Sequence, residues 1–163
     1  KVVWLGSNWP RDADEYNEAN DRPSVNAVID SGVELDVATV RNYGKPRGQN
    51  GGTVDVQVST TEIKRTMPGI GPQVSPVEGR HGGQFTTFGD YSVELFTKMG
   101  HENRALFDMA AVAAVKNPAW AKATEVPAPR IVGRGWQERP GNPHRIRFLT
   151  DFDRDAILAD FFK

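Results

Sequence analysis

The sequence contains no cysteine, which excludes a disulfide framework, a thiolate metal site and a cysteine nucleophile. It has no apolar run near the length of a membrane-spanning helix, so we expect no membrane partner. Its net charge of -1 provides no field over the whole molecule that would attract nucleic acid or an acidic membrane surface. The compartment stays open, because a chain without cysteine suits oxidising and reducing surroundings equally.

The chain is long enough, at 163 residues, for one compact domain with a hydrophobic core. It begins at Lys1 and enters the apolar run VVWLG at once, which predicts a buried strand over residues 2–6. A domain rarely begins with a strand of this kind, so we expect that polypeptide preceding Lys1 is missing. Residues 1–163 are therefore predicted to form a single domain or a partial one.

The next segment predicts a strand–helix–strand unit. Pro23 suits the first helical turn, Asp21 suits the N-cap, and Gly32 suits the end of the helix. The run VELDVATV at 33–40 places β-branched residues in near alternation and predicts a strand. Together these elements predict an α/β fold, with an open and mostly parallel sheet flanked by helices. The polar residues 7–22 are expected to be irregular.

The rest of the chain carries further elements between two loops rich in glycine and proline, at 43–56 and 67–87. Loops of this length are usually either functional or disordered. The first predicted element is a short helix with Ser59 or Thr60 as its cap and Glu62 in a capping box. A helix over DYSVELFTKM follows and ends at Gly100, and a buried helix over DMAAVAAVKN is capped by Asp108 and ended by Pro118. The rest of the chain predicts edge strands in EVPAPRIVG and HRIRFL and a final helix over DRDAILADFF.

The stretch DEYNEAND at 14–21 gathers acids and amides directly after the first strand. In open α/β sheets, ligands bind beyond the carboxyl ends of the strands. Glu15, Tyr16, Asn17 and Asp21, with Asn8 shortly before them, offer the donors and acceptors that sugar hydroxyls require. The alternative is a solvated loop in which Asp21 merely caps a helix.

Asp108 stands where a mostly apolar helix is predicted to begin. It is either an ordinary N-cap or a metal ligand. A hard cation such as calcium takes several oxygen ligands, so one aspartate needs partners from elsewhere.

The histidines and tryptophans give weaker signals. His81, His101 and His144 lack the spacing of a metal clamp on one helix, and we expect them at the surface. Trp9 suits stacking on a base or sugar ring, or a lid over the core, whereas Trp136 is expected to pack. The basic stretch RGWQERPGNPHRIR suits a guarded edge strand better than a nucleic-acid surface.

Four segments occur in an order that resembles a known family. They are VVWLGSN (2–8), EYNEAND (15–21), SVNAVIDSGVELDV (24–37) and LFDMAAVAA (106–114). Together they resemble the C-terminal half of the inosine/uridine-preferring nucleoside hydrolases. The match covers about the first 40 residues and residues 104–163.

This resemblance implies a function and a role for each matched residue. Glu15 and Asn17 would bind ribose hydroxyls near the 5′ end, and Asn8 would be a further asparagine on the sugar. Asp108 would be a ligand of a Ca²⁺ ion that also grips the 2′ and 3′ hydroxyls. The implied reaction is hydrolysis of the N-glycosidic bond of a nucleoside or related riboside, through an oxocarbenium-like transition state that carboxylates stabilise.

The chain departs from the family pattern in two ways. The aspartate cluster that supplies the general base and most calcium ligands lies near the family's N-terminus, and this sequence lacks it. We therefore expect a C-terminal portion, inactive alone, that needs a missing N-terminal segment or partner chain, and we expect a homo-oligomer. Many members also place a histidine before the late aspartate, where this chain has Phe107. Leaving-group activation would then come from stacking, from a residue such as His81, or from water.

Two other readings stay open on sequence alone. The first is a non-catalytic sugar-binding domain, or pseudoenzyme, on the same scaffold. The second is a general α/β interaction module, in which the order of the motifs is coincidence. Because a sheet without its earlier strands exposes an edge, we also predict that the chain folds with a partner. A monomer with a sharp cooperative melt would contradict that prediction.

Overall fold

The computed structural model describes residues 1–11, 14–44 and 51–163. They divide into two compact units. The first consists of Lys1–Val56 and Leu106–Arg154, and the second of Gln57–Ala105 and Asp155–Lys163.

Short strands and helices alternate along the described chain. The strands are β1 (Val2–Leu5), β2 (Asn8–Trp9), β3 (Leu35–Ala38), β4 (Arg41–Asn42), β5 (Gln57–Ser59), β6 (Val77–Glu78), β7 (Gln84–Phe85), β8 (Asn103–Ala105), β9 (Lys122–Pro127), β10 (Arg130–Val132), β11 (Gly135–Gln137) and β12 (Arg145–Thr150). The helices are α1 (Tyr16–Asn20), α2 (Arg22–Asp30), α3 (Thr60–Thr66), α4 (Phe88–Met99), α5 (Phe107–Lys116) and α6 (Arg154–Phe161), with 3-10 turns at Thr53–Asp55 and Pro118–Trp120.

The first unit is built on a four-stranded sheet in the order β1-β3-β12-β9. Strands β1, β3 and β12 are parallel, and β9 runs antiparallel to β12. The strand–helix–strand prediction for β1, α2 and β3 is confirmed. The prediction that HRIRFL is an edge strand is wrong, because β12 lies between β3 and β9 and buries Ile146 and Phe148. Strand β1, predicted to be buried, is a half-exposed edge of this sheet.

The core of this unit lies on one face of the sheet, under α2. Its buried members are Ile29, Leu35, Val37, Ala128, Ile146 and Phe148. Trp9 stacks on Phe148 with ring centroids 3.8 Å apart, and Trp136 meets the same ring edge-on at 5.5 Å. Trp9 therefore packs on the core, which is the second of its two predicted roles, and its ring is not free to stack on a ligand.

Local capping signals locate several helix ends. Asp21 caps α2 by accepting from the Ser24 N–H, and Pro23 lies in the first turn. Ser59 and Glu62 form the predicted capping box of α3. Gly100 ends α4 in the left-handed conformation, with φ of 66°. All three observations confirm predictions from residue type and spacing.

Three other local predictions are wrong. Residues 7–22 are not irregular throughout, because they contain β2 and α1. Helix α5 begins at Phe107 with Leu106 as its N-cap, so Asp108 is not the cap. The same helix is only partly buried, because alanines such as Ala110 and Ala113 are buried but Val115 is 62% exposed.

The two glycine-rich loops contain regular structure. Within 43–56, residues 45–50 lie outside the described chain, and Thr53–Asp55 form a 3-10 turn. Within 67–87, β6 and β7 form an antiparallel hairpin. In the second unit, α3 packs on α4, and the Gly89 N–H donates to the Ile70 carbonyl. Among the described residues, no helix has the length and apolarity to cross a membrane.

Candidate functional site

The carboxyl ends of β1, β3 and β12 meet at one edge of the sheet. Ser7 follows β1, Thr39 follows β3 and Asp151 follows β12. The hydroxyl of Thr39 donates to the Leu149 carbonyl at 2.8 Å, and the Val40 N–H donates to the Ser7 carbonyl at 2.9 Å. This edge is where ligands bind in open α/β sheets, and it is where the acid-and-amide loop begins.

Ser7 turns the chain out of β1 in a conformation that non-glycine residues seldom adopt. Its φ is 70°, and the residue is fully buried. Asp151, after β12, has φ of 51°. Positive φ values at non-glycine residues are uncommon, and they cluster where the surrounding structure dictates the backbone, binding sites among them. Two such residues, each after the carboxyl end of a strand of the same sheet, therefore mark this end of the sheet as a candidate site.

Glu15 anchors the loop to the strand. It is the N-cap of α1, and its Oε2 accepts the N–H groups of Ser7 at 3.1 Å, Asn17 at 2.9 Å and Glu18 at 3.3 Å. One carboxylate oxygen thus satisfies three backbone donors. Among the described residues no hydrogen bond reaches Oε1, which leaves one oxygen of this buried carboxylate for another partner.

Asn17 contacts the strand directly. Its Nδ2 donates to the Leu5 carbonyl at 3.1 Å, on the last residue of β1. Of the four predicted substrate-binding residues, Glu15 and Asn17 therefore both hold the loop at the end of β1. The structure brings these two together with Asn8.

Asn8 has the most unusual side chain of the group. It is only 2% exposed, and its Oδ1 has no hydrogen-bond partner among the described residues. An unpaired buried amide costs about 1–3 kcal/mol, so such a group is expected to have a partner in the functional state.

Trp136 supports the same turn, although the sequence suggested only packing. Its indole Nε1 donates to the Ser7 hydroxyl at 2.9 Å and to the Asn8 carbonyl at 3.1 Å. The two segments are 128 or more residues apart in sequence, so no local signal could have identified this contact.

Two arginines bind Asp14, at the start of the loop. Arg22, at the start of α2, donates to Asp14 Oδ1 at 2.7 Å, and Arg134 donates to Asp14 Oδ2. The hydrogen bond from Arg134 is the main reason that the pKa of Asp14 lies below its ordinary value. Asp21 has a lowered pKa as well, because the hydroxyl and N–H of Ser24 donate to it. Both carboxylates are structural and ionised at neutral pH.

Asp108 is not the N-cap of α5, and its other predicted role, as a metal ligand, stays a prediction. It is an exposed residue in the first turn of α5, where a carboxylate suits the helix dipole, and no hydrogen bond or ion pair joins it to another described residue. Phe107 is the first residue of the helix and is half-buried. Helix α5 packs beside β1, which places both residues in the same unit as the loop.

The described residues do not form a calcium site by themselves. They contain no group of three or more histidine, aspartate or glutamate side chains that could hold a metal. Calcium takes about six to eight oxygen ligands, whereas Asp108 offers one exposed carboxylate. His81 and His101 are exposed and belong to the second unit, and His144 is partly buried in the first.

Glu15 is expected to stabilise the fold through its three donors. Changing Glu15→Gln keeps an acceptor but removes the charge, so the free energy of unfolding should fall by about 1–2 kcal/mol. Chemical denaturation would measure this change. The control Glu138→Gln alters an exposed carboxylate and should change stability by less than about 0.5 kcal/mol. Equal effects of the two substitutions would contradict the anchoring role.

Comparison with solved structures gives similar folds, and comparison with sequences gives no match, either to a family model or to a curated protein. The fold is similar to the solved structure of a plant nucleoside hydrolase, the PpNRh1 enzyme, with a TM-score of 0.59 and 13% sequence identity. The match covers 99% of this chain and 50% of that chain, so residues 1–163 span about half the length of the hydrolase.

This likeness concerns the fold. The chain has a mixed α/β structure with a partly parallel sheet flanked by helices, and this structure is similar to the fold of a nucleoside hydrolase. The fold class predicted from the sequence is confirmed.

Proposed function

We propose that residues 1–163 are the C-terminal portion of a calcium-dependent N-ribohydrolase, which cleaves the N-glycosidic bond of nucleosides or related ribosides. The observation that carries the proposal is the buried Asn8 side chain, whose Oδ1 has no hydrogen-bond partner among the described residues, near the Glu15 carboxylate at the carboxyl end of β1. The nucleoside-hydrolase-like fold supports it.

The recognition step uses the groups that the loop leaves available. Oε1 of Glu15 accepts from a ribose hydroxyl, while Oε2 keeps the loop in place. The Asn8 carboxamide donates to and accepts from a neighbouring hydroxyl. Because Asn8 is buried, a sugar reaches it only after neighbouring groups move aside. Asn17 acts mainly by holding the loop on Leu5.

The reaction adds water across the bond between the ribose anomeric carbon and the base. The sugar develops positive charge as that bond breaks, and a nearby carboxylate stabilises the charge. The leaving base then takes a proton. Phe107 cannot donate one, so we propose stacking on Phe107 and protonation by water, with substrates whose leaving groups need little help.

Most of the calcium ligands and the general base are not among the described residues. Asp108 would contribute one ligand, and the remaining ligands and the base would come from polypeptide outside residues 1–163. Calcium would supply Lewis acidity and grip the sugar hydroxyls. We therefore propose that residues 1–163 alone are inactive. We also propose that the active enzyme is a homo-oligomer.

Reducing-sugar release from a panel of nucleosides and ribosides tests the proposal. The complete gene product that contains residues 1–163 should release ribose with calcium and lose this activity with a chelator. Asn8→Ala should raise the KM for ribosides about tenfold, as expected for the loss of one hydrogen bond worth about 1.4 kcal/mol. The exposed Asn103→Ala is the matched control and should leave KM unchanged.

A second candidate function is sugar binding without catalysis. The observation that favours it is the lack of a carboxylate cluster among the described residues. Ribose binding that ignores calcium, with no release from any substrate, would establish this second function and overturn the first.

A further inference from the structure

The second unit contains a cavity where the hairpin of β6 and β7 meets α4. Its volume is about 180 Å³, which is below that of pockets for drug-sized ligands and suits a ligand of a few heavy atoms. We call this cavity the aromatic cup. The lining residues that carry the argument are Val74, Val77, Glu78, Phe85, Phe88 and Tyr91.

Three aromatic rings line the aromatic cup. Phe85 and Tyr91 have ring centroids 5.3 Å apart and planes tilted by 48°, so neither ring covers the other as stacked rings do. Phe88 is 57% exposed, although phenylalanine is among the residues most often buried. Gly79 makes room for the ring of Phe85, since a Cβ at residue 79 would lie 2.5 Å from its Cε2 atom. Aromatic surface in the cup is therefore accessible to a ligand.

Two carboxylates lie at or next to the aromatic cup. Glu78 is exposed on β6, and neither a hydrogen bond nor an ion pair joins its carboxylate to another described residue. Oδ2 of Asp90 accepts from the hydroxyl of Thr87, a lining residue, at 2.7 Å. This hydrogen bond is the main reason that the pKa of Asp90 lies below its ordinary value. In the first turn of α4, the ionised Asp90 also offsets the positive end of the helix dipole.

The basic residues of the hairpin do not fill the aromatic cup. Arg80 and His81 are exposed, and neither lines the cavity. Arg80 contacts Tyr91 through its backbone N–H, which donates to the tyrosine hydroxyl at 3.3 Å. Within the described part of the chain, no lysine, arginine or histidine lines the cavity. The cup thus combines aromatic rings and a carboxylate without a cation of its own.

We propose that the aromatic cup binds a small organic cation, an ammonium group that carries alkyl substituents. Aromatic faces attract a cation through the quadrupole of the ring, and a nearby carboxylate adds Coulomb attraction. The alkyl groups of the ligand contact Val74 and Val77, which are 52% and 60% exposed. All lining residues belong to the second unit, and the proposal does not depend on the hydrolase function.

Titration with choline, a trimethylammonium compound, tests the proposal. The sample is the complete gene product that contains residues 1–163, and the NMR signal of the choline methyl groups reports binding. We expect saturable binding. The neutral alcohol 3,3-dimethyl-1-butanol has the same shape without the charge, and it should bind about tenfold more weakly.

Substitutions in the lining test whether choline binds in the aromatic cup. Phe88→Leu keeps an apolar side chain but removes a ring, and Glu78→Gln removes a charge. Each should weaken choline binding about fivefold. Both residues are exposed, so both variants should unfold at the same temperature as the wild type. Tyr43→Leu and Glu138→Gln make comparable changes at exposed residues of the first unit, and they should leave the affinity for choline unchanged.

Three results would each overturn the proposal. Equal affinities for choline and the neutral alcohol would show an apolar pocket without a preference for charge. Choline binding that Phe88→Leu and Glu78→Gln both leave unchanged would show that the ligand binds elsewhere. The lack of saturable choline binding would show that the cup takes no alkylated ammonium group. The readout needs no riboside, so a product without hydrolase activity that still binds choline in the cup would leave this inference in place.

Discussion

Replacing Phe148 with alanine is expected to lower the free energy of unfolding by about 3–5 kcal/mol. Phe148 is fully buried in β12, and its ring contacts Trp9 on one side and Trp136 on the other. Its loss would leave a cavity between two indoles that are held elsewhere, so the site cannot collapse fully. Denaturation with urea, followed by tryptophan fluorescence, measures the effect.

The matched control is Phe88→Ala, which makes the same change at a ring that is 57% exposed. This control should cost less than about 1 kcal/mol. If Phe148→Ala were as mild as the control, the stacked aromatic cluster would not hold the core of the first unit together. A large loss should also disturb the turn of Ser7, because Trp136 donates to that residue.

Helix ends could be predicted because their signals are local. Asp21, Ser59 and Gly100 act within four residues of themselves, through a side-chain acceptor or a left-handed backbone. The strand–helix–strand unit over β1, α2 and β3 has the same origin. Residue type and spacing were enough for these elements.

The position of a strand in the sheet was less predictable. Strand β12 was expected at an edge because its segment carries arginines, but the charge of Arg147 is neutralised by Asp36 from β3, 111 residues away. That pairing lets a basic strand occupy an inner position. Helix α5 was expected to be buried because it is apolar, yet its valines are exposed, which hydrophobicity alone cannot indicate.

Only part of the candidate site could be predicted from the sequence. Glu15, Asn17 and Asn8 lie within ten residues of one another, and their grouping could be predicted from the loop after β1. The support from Trp136 and Arg134 could not, because both residues approach from the far end of the chain. Asp108 was assigned by resemblance, and its role as a metal ligand stays a prediction, because the other ligands it needs are not among the described residues.

Asp36→Asn is expected to lower the free energy of unfolding by about 1–3 kcal/mol at pH 7, an amount reduced by solvent screening of the half-exposed arginine. Arg147 donates to both oxygens of Asp36 at 2.6 Å, and Lys1 lies 2.9 Å from Oδ2. Burial of the carboxyl raises its pKa, but the hydrogen bonds from Arg147 and Lys1 outweigh it, so the pKa of Asp36 lies below its ordinary value of 3.8.

The lowered pKa of Asp36 determines the pH at which this stability disappears. A carboxyl whose pKa is lower in the folded state stabilises the fold fully above its unfolded pKa, and the contribution is lost as the pH falls through the folded value. The difference in unfolding free energy between the wild type and Asp36→Asn should therefore be constant from pH 5 to 7 and shrink below about pH 4. Denaturation at several pH values measures it, with the exposed Glu78→Gln as control. A difference that persists unchanged at pH 2 would mean that packing, not the ion pair, explains the loss.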